Sequence, residues 1–381
     1  MRKTITIGDL GTIITGKTPP TTNKNYYGDY AVFIKPTDIS ESSKYTYETE
    51  EMYSKLAAEK YESSLVPKGA ICVPCIGTIG TKMTMTHCAC YTNQSINSIV
   101  CNENYDNEYV YYLIKNFLPG LKAYNLGTAS GREYVSKSNF EKIELVAEQD
   151  KTIQKRIGAI LSRYDSLIEN YQKQIKLLEE AAQRLYKEWF VDLRFPGYEN
   201  TKIVDGVPEG WEKKKVGDLL SKVPRSKQVS ANLYKEVGLI PVIDQSRNYI
   251  AGYTDDAECL VDATIPFIVF GDHTRILKFI PFSFAKGADG TQLIMSNDLS
   301  RMPQSLFYNS LISIDLSNYS YARHFKYLKE EEILVSTDNI SSLYDRITSK
   351  YYQSIQENRK QIHLLTEARD RLLPKLMSLK L

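Results

Sequence analysis

Several features that reveal function in other proteins are scarce in this sequence of 381 residues. No apolar run approaches the roughly 18 residues of a membrane helix, and the N-terminus does not resemble a signal peptide. We therefore expect a soluble, cytoplasmic protein with no membrane partner. The charges nearly cancel, and a net charge of +2 is too small to indicate nucleic-acid binding by itself. If DNA is the partner, the fold must gather the basic residues.

Catalytic motifs are absent or incomplete. The four histidines are scattered, with no grouping of Ser, His and Asp, and the Asn-Pro-Pro or Asp-Pro-Pro aromatic tetrapeptide of amino-methyltransferases does not occur. Gly11–Thr18 matches the phosphate-loop pattern, but Pro19 and Pro20 follow where a helix must begin. Glu212 and Lys214 match half of a nuclease motif without an acidic partner. We therefore predict no catalytic residues in this chain.

Four of the six cysteines lie close together in the sequence. Cys72, Cys75, Cys88 and Cys90, together with His87, are ligand types of a structural zinc site. Against this, Cys72 lies in a strand-like run, and Cys is commonly buried as a small hydrophobe. Burial is the favoured interpretation and no metal site is predicted, although metal binding by these cysteines stays an alternative.

The most informative feature that is present is an internal repeat. Residues 168–185 (IENYQKQIKLLEEAAQRL) return as residues 355–372 (IQENRKQIHLLTEARDRL), with ten of the eighteen pairs identical and an offset of 187 residues. Average composition would give about one identity. The segments that precede the two copies open on IGDL (Ile7–Leu10) and VGDL (Val216–Leu219). The chain is therefore built twice, which predicts two similar sites.

Each copy of the repeat belongs to a long amphipathic pattern with the spacing of a heptad seam. We predict two long helices that pack on each other, with the alternative that each only covers its own globular segment. The predicted helix and partner interface comprises Ile157, Ile160, Tyr164, Leu167, Tyr171, Leu178, Leu185, Trp189, Phe190, Tyr344, Ile347, Tyr351, Leu365 and Leu372.

The segments outside the helices contain short β-rich runs separated by Gly, Asn, Asp and Pro turns, which predict domains of mixed α/β or mainly β character. A stretch rich in turn residues, 195–211, indicates a linker. We predict an α+β chain of four parts: a globular domain at 1–149, a helix at 150–192, a second globular domain at 193–335 and a second helix at 336–381.

Over its whole length the chain resembles the specificity subunit of bacterial type I restriction-modification systems. The motifs that carry this resemblance are LYKEWFVD at 185–192, VPEGW at 207–211 and LLPKLM at 372–377. The resemblance implies two target-recognition domains, each reading half of a split sequence of double-stranded DNA, separated by two antiparallel helices. It also implies that the helices dock two methyltransferase subunits, through which motor-nuclease subunits join. S-adenosylmethionine, ATP and Mg²⁺ would be bound by those partners and not by this chain.

Polar residues in turn-rich stretches are the candidates for DNA contact, because Arg and Lys suit guanine, Gln suits adenine, and hydroxyl groups suit phosphates. The alternative for each is an ordinary solvated loop residue. In the first domain they are Lys17, Thr18, Lys35, Thr37, Lys82, Gln94, Ser95, Ser130 and Arg132. In the second domain they are Lys227, Gln245, Arg247, His273, Thr274, Arg275 and Lys286.

Three other functions stay open at this point. The chain could be an autonomous nuclease or nucleotide hydrolase, or an adaptor whose helices dimerise while its globular ends bind proteins. It could also serve a methyltransferase alone, without a nuclease partner.

Overall fold

The computed structural model describes residues 2–127, 133–223, 226–319 and 323–378. They form two compact units: unit 1 comprises Met1–Gln172 and Lys360–Leu381, and unit 2 comprises Lys173–Arg359. Both divisions fall inside the long helices, at positions 187 residues apart. The sequence analysis divided the chain differently, into two globular domains and two helices. That four-part division stays a prediction, because the boundaries of the two compact units do not test it.

Unit 1 contains nine strands and three short helices among its described residues, and it also holds parts of both long helices. The strands are β1 (Arg2–Thr6), β2 (Gly11–Thr15), β3 (Tyr27–Ile34), β4 (Met52–Tyr53), β5 (Ile71–Pro74), β6 (Thr84–Met85), β7 (Tyr91–Thr92), β8 (Ile96–Cys101) and β9 (Glu144–Glu148). The helices are α1 (Lys55–Lys60), α2 (Asn107–Phe117), α3 (Lys137–Glu141) and the beginning of α4 (Lys151–Tyr186).

Unit 2 is also built from short strands and helices. The strands are β10 (Ile203–Val204), β11 (Val207–Pro208), β12 (Glu212–Lys215), β13 (Ile240–Ile243), β14 (Gly252–Thr254), β15 (Leu260–Val261), β16 (Phe267–Gly271), β17 (Leu277–Ile280), β18 (Phe284–Lys286), β19 (Thr291–Ile294) and β20 (Glu332–Val335). The helices are α5 (Gln304–Ile312), α6 (His324–Glu330) and the beginning of α7 (Asp338–Ser378).

The two units repeat one topology. In unit 1, β5 pairs antiparallel with β8, and β3 pairs parallel with β7. In unit 2, β16 pairs antiparallel with β19, and β13 pairs parallel with β18. Each unit also closes on a two-stranded antiparallel pair, β1 with β9 and β12 with β20. The duplication therefore extends through the globular segments.

Equivalent hydrogen bonds support this correspondence. The Asn102 side chain donates to the Asp9 carbonyl at 2.9 Å, and the Asn297 side chain donates to the Asp218 carbonyl at 2.8 Å. Asp9 and Asp218 belong to the IGDL and VGDL turns, which form 3₁₀ helices at Ile7–Leu10 and Val216–Leu219. The motif shared by the two segments thus fixes the same turn twice.

The long helices pack antiparallel within unit 2. The Asn358 amide donates to Gln174 at 3.2 Å, and the Tyr344 hydroxyl donates to the Ala182 carbonyl at 3.1 Å. Residue numbers therefore increase along α4 as those of the contacting residues in α7 decrease. Helix α4 has 36 residues and continues as a π-helical turn at Lys187–Val191, whereas α7 has 41 residues. The prediction of an α+β chain with two globular parts and long helices is confirmed.

The predicted helix interface residues differ in burial. Ile157, Trp189, Phe190 and Tyr344 are buried, whereas Leu167 is 46% exposed. The half-buried members are Ile160, Tyr164, Tyr171, Leu178, Leu185, Ile347, Tyr351, Leu365 and Leu372. Their role in binding a partner stays a prediction.

Candidate functional site

Three loops of unit 2 meet at one place, which we call the unit 2 loop surface: residues 244–248, 272–276 and 287–290. The first follows β13 and the third follows β18. Because these strands are parallel neighbours, their carboxyl ends lie at the same edge of the sheet. The second loop joins β16 to β17 and is tied to the third by a hydrogen bond from the Asp272 amide to the Gly290 carbonyl at 2.7 Å.

Gln245 stands at the centre of the unit 2 loop surface. Its Oε1 accepts from the His273 amide at 3.1 Å, and its Nε2 donates to the Asp289 carbonyl at 2.9 Å. The Thr274 hydroxyl donates to the Gln245 carbonyl at 2.7 Å. The structure therefore brings together Gln245, His273 and Thr274, three of the candidates for DNA contact.

Glycines and strained backbone give these loops their conformation. A Cβ at Gly290 would lie 2.8 Å from Gln245 Nε2, and a Cβ at Gly271 would lie 2.9 Å from Gln245 Cβ. The Gln245 side chain therefore lies in a glycine-walled slot, in which a larger residue at Gly271 or Gly290 would clash with it. Arg275 and Asp289, in the second and third loops, have positive φ angles of 61° and 29°. Such conformations are costly for residues other than glycine and cluster at functional sites.

A buried lysine that the sequence analysis did not identify supports the first loop. The Lys278 ammonium donates to the carbonyls of Asp244 and Asn248, the former at 2.8 Å, and lies 3.8 Å from the Asp244 carboxylate. Burial lowers the pKa of Lys278 to about 8, although Asp244 acts in the opposite direction. Lys278 lies in the strand sequence LKFI. The one sequence signal that could have identified it is a single charged residue within an apolar strand.

This lysine predicts a pH dependence of the stability of unit 2. Between about pH 8 and its ordinary value of 10.5, the unfolded chain holds the Lys278 proton while the folded chain has released it. The free energy of unfolding should therefore rise with pH across this window. We expect Lys278→Met to reduce the rise of the free energy of unfolding with pH, measured by urea denaturation. The control Lys326→Met, at an exposed lysine, should leave this rise unchanged. An unchanged slope in Lys278→Met would contradict the prediction.

Unit 1 forms the equivalent unit 1 loop surface from residues 35–38, 75–82 and 93–95. The Cys75 amide donates to the Ser95 carbonyl at 2.7 Å, as Asp272 does to Gly290 in unit 2. The Asn93 amide donates to the Ile34 carbonyl at 3.1 Å, as Gly287 does to Ile243 at 2.8 Å. The same three connections therefore converge in both units, but they carry different side chains.

Three unit 1 candidates, Lys17, Thr18 and Gln94, lie at or beside the third of these loops. The Thr18 hydroxyl donates to the Gln94 side chain, and the Lys17 amide donates to the Thr92 carbonyl at 2.9 Å. Lys35 lies in the first loop, where its ammonium contacts Glu50 at 2.7 Å and Glu51 at 3.1 Å. Burial alone would lower the pKa of Lys35, but these two carboxylates raise it.

The remaining candidates are less closely associated. Lys227 is held by Asp256 at 2.8 Å and Glu258 at 2.9 Å, and these hydrogen bonds raise its pKa. The other positions within or beside the loops are the exposed Thr37 and Arg247, the half-buried Lys82, Ser95 and Lys286, and Arg275, whose guanidinium donates to the Leu316 carbonyl at 3.0 Å. Ser130 and Arg132 lie outside the described residues.

The incomplete motifs have ordinary structural roles. Gly11–Thr15 forms β2, which pairs with β8, and no helix begins at Lys17. This strand does not match a phosphate loop, in which a helix begins at the lysine. Glu212 pairs with Lys214 at 2.9 Å and with Arg301.

Cys72, Cys75 and Cys90 are buried, and burial raises the pKa of the Cys72 and Cys75 thiols to about 12. Over the described ranges, no group of three or more His, Cys, Asp and Glu side chains could hold a metal ion. No described helix combines the length and apolar character needed to cross a membrane.

Comparisons with known proteins agree on one family. The family described as type I restriction modification DNA specificity domain matches residues 2–180. The MjaIX specificity subunit of Methanocaldococcus jannaschii is 26% identical, over 97% of this chain and 91% of that protein. The HindI specificity subunit of Haemophilus influenzae is 34% identical, over 41% of this chain and 35% of that protein.

A solved structure has a similar fold. The crystal structure of a type I restriction-modification S subunit from M. genitalium covers 99% of this chain and 96% of its own, with a TM-score of 0.59 and 15% identity. Two units of one topology, each with a three-loop surface, define an internally duplicated protein with two candidate binding surfaces. The chain is therefore similar to type I restriction-modification specificity subunits.

Proposed function

We propose that this chain reads a bipartite, gapped sequence of double-stranded DNA, one part with each loop surface. The observation that carries the proposal is the recurrence of three equivalent loops on two units with different side chains. The unit 1 loop surface offers Lys35, Gln94 and Ser95, whereas the unit 2 loop surface offers Gln245 and His273. The two surfaces share one backbone arrangement but present different hydrogen-bonding side chains. They are therefore suited to two half-sites of different DNA sequence, because base edges are read by individual donors and acceptors.

We further propose that the chain is non-catalytic and acts in the cytoplasm with two methyltransferase subunits, through which motor-nuclease subunits join. S-adenosylmethionine, ATP and Mg²⁺ would then be bound by those partners. The position of Gly11–Thr15 in a strand supports this division of roles, because a phosphate loop needs a helix directly after its lysine. The internal duplication supports two copies of one partner, since it offers the same surface twice.

The test is to co-express the chain with its methyltransferase partner and map methylated bases in the host DNA. We expect a single bipartite motif. Substituting Lys35, Gln94 and Ser95 together with alanine should relax one half of that motif, and substituting Gln245, His273 and Thr274 should relax the other. Turnover of DNA or ATP by the isolated chain would instead favour an enzyme. A complex that methylates no specific sequence would favour an adaptor.

A further inference from the structure

A cleft in unit 2 opens beside the unit 2 loop surface, and we call it the unit 2 cleft. Its volume is about 260 Å³. Arg247 of the first loop and Ile276 of the second loop line it, together with residues of β17 and of the helices α4, α5 and α7. The cleft therefore borders the surface that carries Gln245.

Unit 1 has a cavity at the same place, but it is almost closed. Three helix residues that line the unit 2 cleft correspond, at the offset of 187, to three that line the cavity of unit 1. The pairs are Tyr352 with Asp165, Ile355 with Ile168, and Arg359 with Gln172. The cavity of unit 1 has a volume of about 10 Å³, whereas one water molecule needs about 10–15 Å³.

A tyrosine contacts the long helix at both places. In unit 1 the Tyr47 hydroxyl donates to Glu169 of α4. In unit 2 the Tyr249 hydroxyl lies 3.5 Å from Oε1 of Gln356, which corresponds to Glu169 at the offset of 187. One scaffold therefore gives a closed cavity in unit 1 and an open cleft in unit 2, so the fold itself does not require the open volume.

Aromatic side chains line part of the unit 2 cleft. The ring centre of Phe279 lies 5.5 Å from that of Tyr308 and 4.4 Å from that of Tyr352. Aromatic rings bind nucleobases by stacking, whatever the base. A cavity of about 150 Å³ holds benzene, so the unit 2 cleft has room for a single nucleobase.

The charges of the cleft suit an anion. Three of the described side chains that line it are cationic: Arg247, Lys278 and Arg359. Glu179 is the one acidic residue among the described lining residues, and it contacts the Arg359 guanidinium at 3.0 Å. The guanidinium carbon also lies 3.7 Å from the ring centre of Tyr249, which fixes its orientation. Arg247 is exposed at the mouth of the cleft. Arginine is well suited to phosphate, because its planar group donates two parallel hydrogen bonds.

We propose that the unit 2 cleft binds one nucleotide, with the base against the aromatic rings and the phosphate at Arg247 and Arg359. Two sources share this chemistry: a nucleotide turned out of the DNA strand beside the unit 2 loop surface, and a free nucleotide. The first source rests on the proposed function. An enzyme that modifies a base turns it out of the duplex, which leaves the pairing base without a partner.

The first measurement is equilibrium dialysis of the full chain against deoxyadenosine monophosphate, with deoxyadenosine as the comparison that lacks phosphate. Arg359→Gln introduces the residue of unit 1, and Gln183→Trp fills the cleft from an exposed position on α4. Arg346→Gln, exposed on the same helix as Arg359, is the control. If free nucleotide binds, we expect each cleft variant to weaken binding by about tenfold, because a charge-assisted contact or the space for the base is lost. The control should bind as the wild type does.

The second measurement uses the complex with the methyltransferase on its mapped motif. 5-Iodouracil replaces each thymine in turn, within and beside the half-site read by unit 2. After irradiation, mass spectrometry identifies the cross-linked residue. A nucleotide of the strand in the cleft should cross-link to Tyr249 or Tyr308, and Arg359→Gln and Gln183→Trp should each reduce the yield. Thermal unfolding of both variants, measured beside the wild type, shows whether either loss reflects misfolding.

Cross-linking to these tyrosines would assign the DNA strand as the source, whereas dialysis binding that the cleft variants weaken would assign free nucleotide. If neither is seen, or if both cleft variants leave the signals unchanged, the cleft is not a nucleotide site. A complex that recognises no DNA sequence would overturn the proposed function, and dialysis would then decide alone whether the cleft binds nucleotide.

Discussion

Replacing Arg369 with alanine is expected to lower the free energy of unfolding of unit 1 by about 3–5 kcal/mol. Arg369 forms an ion pair with Asp165, and both side chains are only 6% exposed. The Tyr112 hydroxyl also donates to Asp165. Without the guanidinium, Asp165 would remain a buried carboxylate with one neutral donor, and leaving such a charge uncompensated is strongly destabilising.

The second repeat provides an apolar replacement for the same place. At an offset of 187, Asp165 corresponds to Tyr352 and Arg369 corresponds to Ala182, and both of these are buried in the unit 2 core. Asn309, in α5, donates to the Tyr352 hydroxyl at 2.8 Å. At this place unit 2 therefore has a hydrogen-bonded tyrosine and an alanine in the positions of the buried ion pair of unit 1.

A matched variant follows from this comparison. Tyr112→Asn, Asp165→Tyr and Arg369→Ala, made together, transfer the arrangement of unit 2 into unit 1. Because replacing a whole buried ion pair is often neutral, we expect the triple variant to recover more than half of the loss.

Hydrogen exchange of the α2 amides under increasing urea would measure this effect in unit 1 alone, since a chain of two units need not unfold in one step. A loss in Arg369→Ala below about 1 kcal/mol, the scale of an exposed pair, would contradict the prediction. A triple variant no more stable than Arg369→Ala would show that the unit 2 arrangement cannot be transferred.

The same repeat explains how much of the fold the sequence could predict. An offset of 187 identified both long helices, because buried and exposed identities alike survive in residues 168–185. Comparing the repeats at positions that are not identical would also have indicated Asp165, because this charged residue corresponds to Tyr352 in the second repeat. The π-helical turn at Lys187–Val191 leaves no comparable signal, since its residues continue an ordinary helical pattern.

The candidate site was less accessible to sequence reasoning. Residue types in turn-rich stretches indicated Gln245 and His273 separately, but their meeting depends on long-range contacts. The parallel pairing of β13 with β18 brings the first and third loops together, and the hydrogen bond from Asp272 to Gly290 adds the second loop. Lys278 was missed because its strand is otherwise apolar. Long-range pairing therefore determined which candidates converge, and no local pattern records it.

Replacing Gln245 with alanine is expected to relax the methylation motif at one position of the half-site read by unit 2. A glutamine amide has two N–H donors and two acceptor lone pairs. The contacts with Asp289 and His273 use one of each. One donor and one acceptor remain, which is the combination that reads adenine at N6 and N7. Loss of this contact should reduce discrimination against the wrong base by about 1–3 kcal/mol.

Motif mapping of the co-expressed complex would measure this effect, with the exposed Gln228→Ala of the same unit as the control. If Gln245 only holds the three loops together, Gln245→Ala should weaken binding to every sequence and leave no single degenerate position. If it reads a base, affinity for non-specific DNA should stay unchanged while one position loses its preference, because backbone contacts carry no sequence information. The glycine-walled slot around Gln245 favours the second outcome, since an amide held on two sides is already oriented for one base pair.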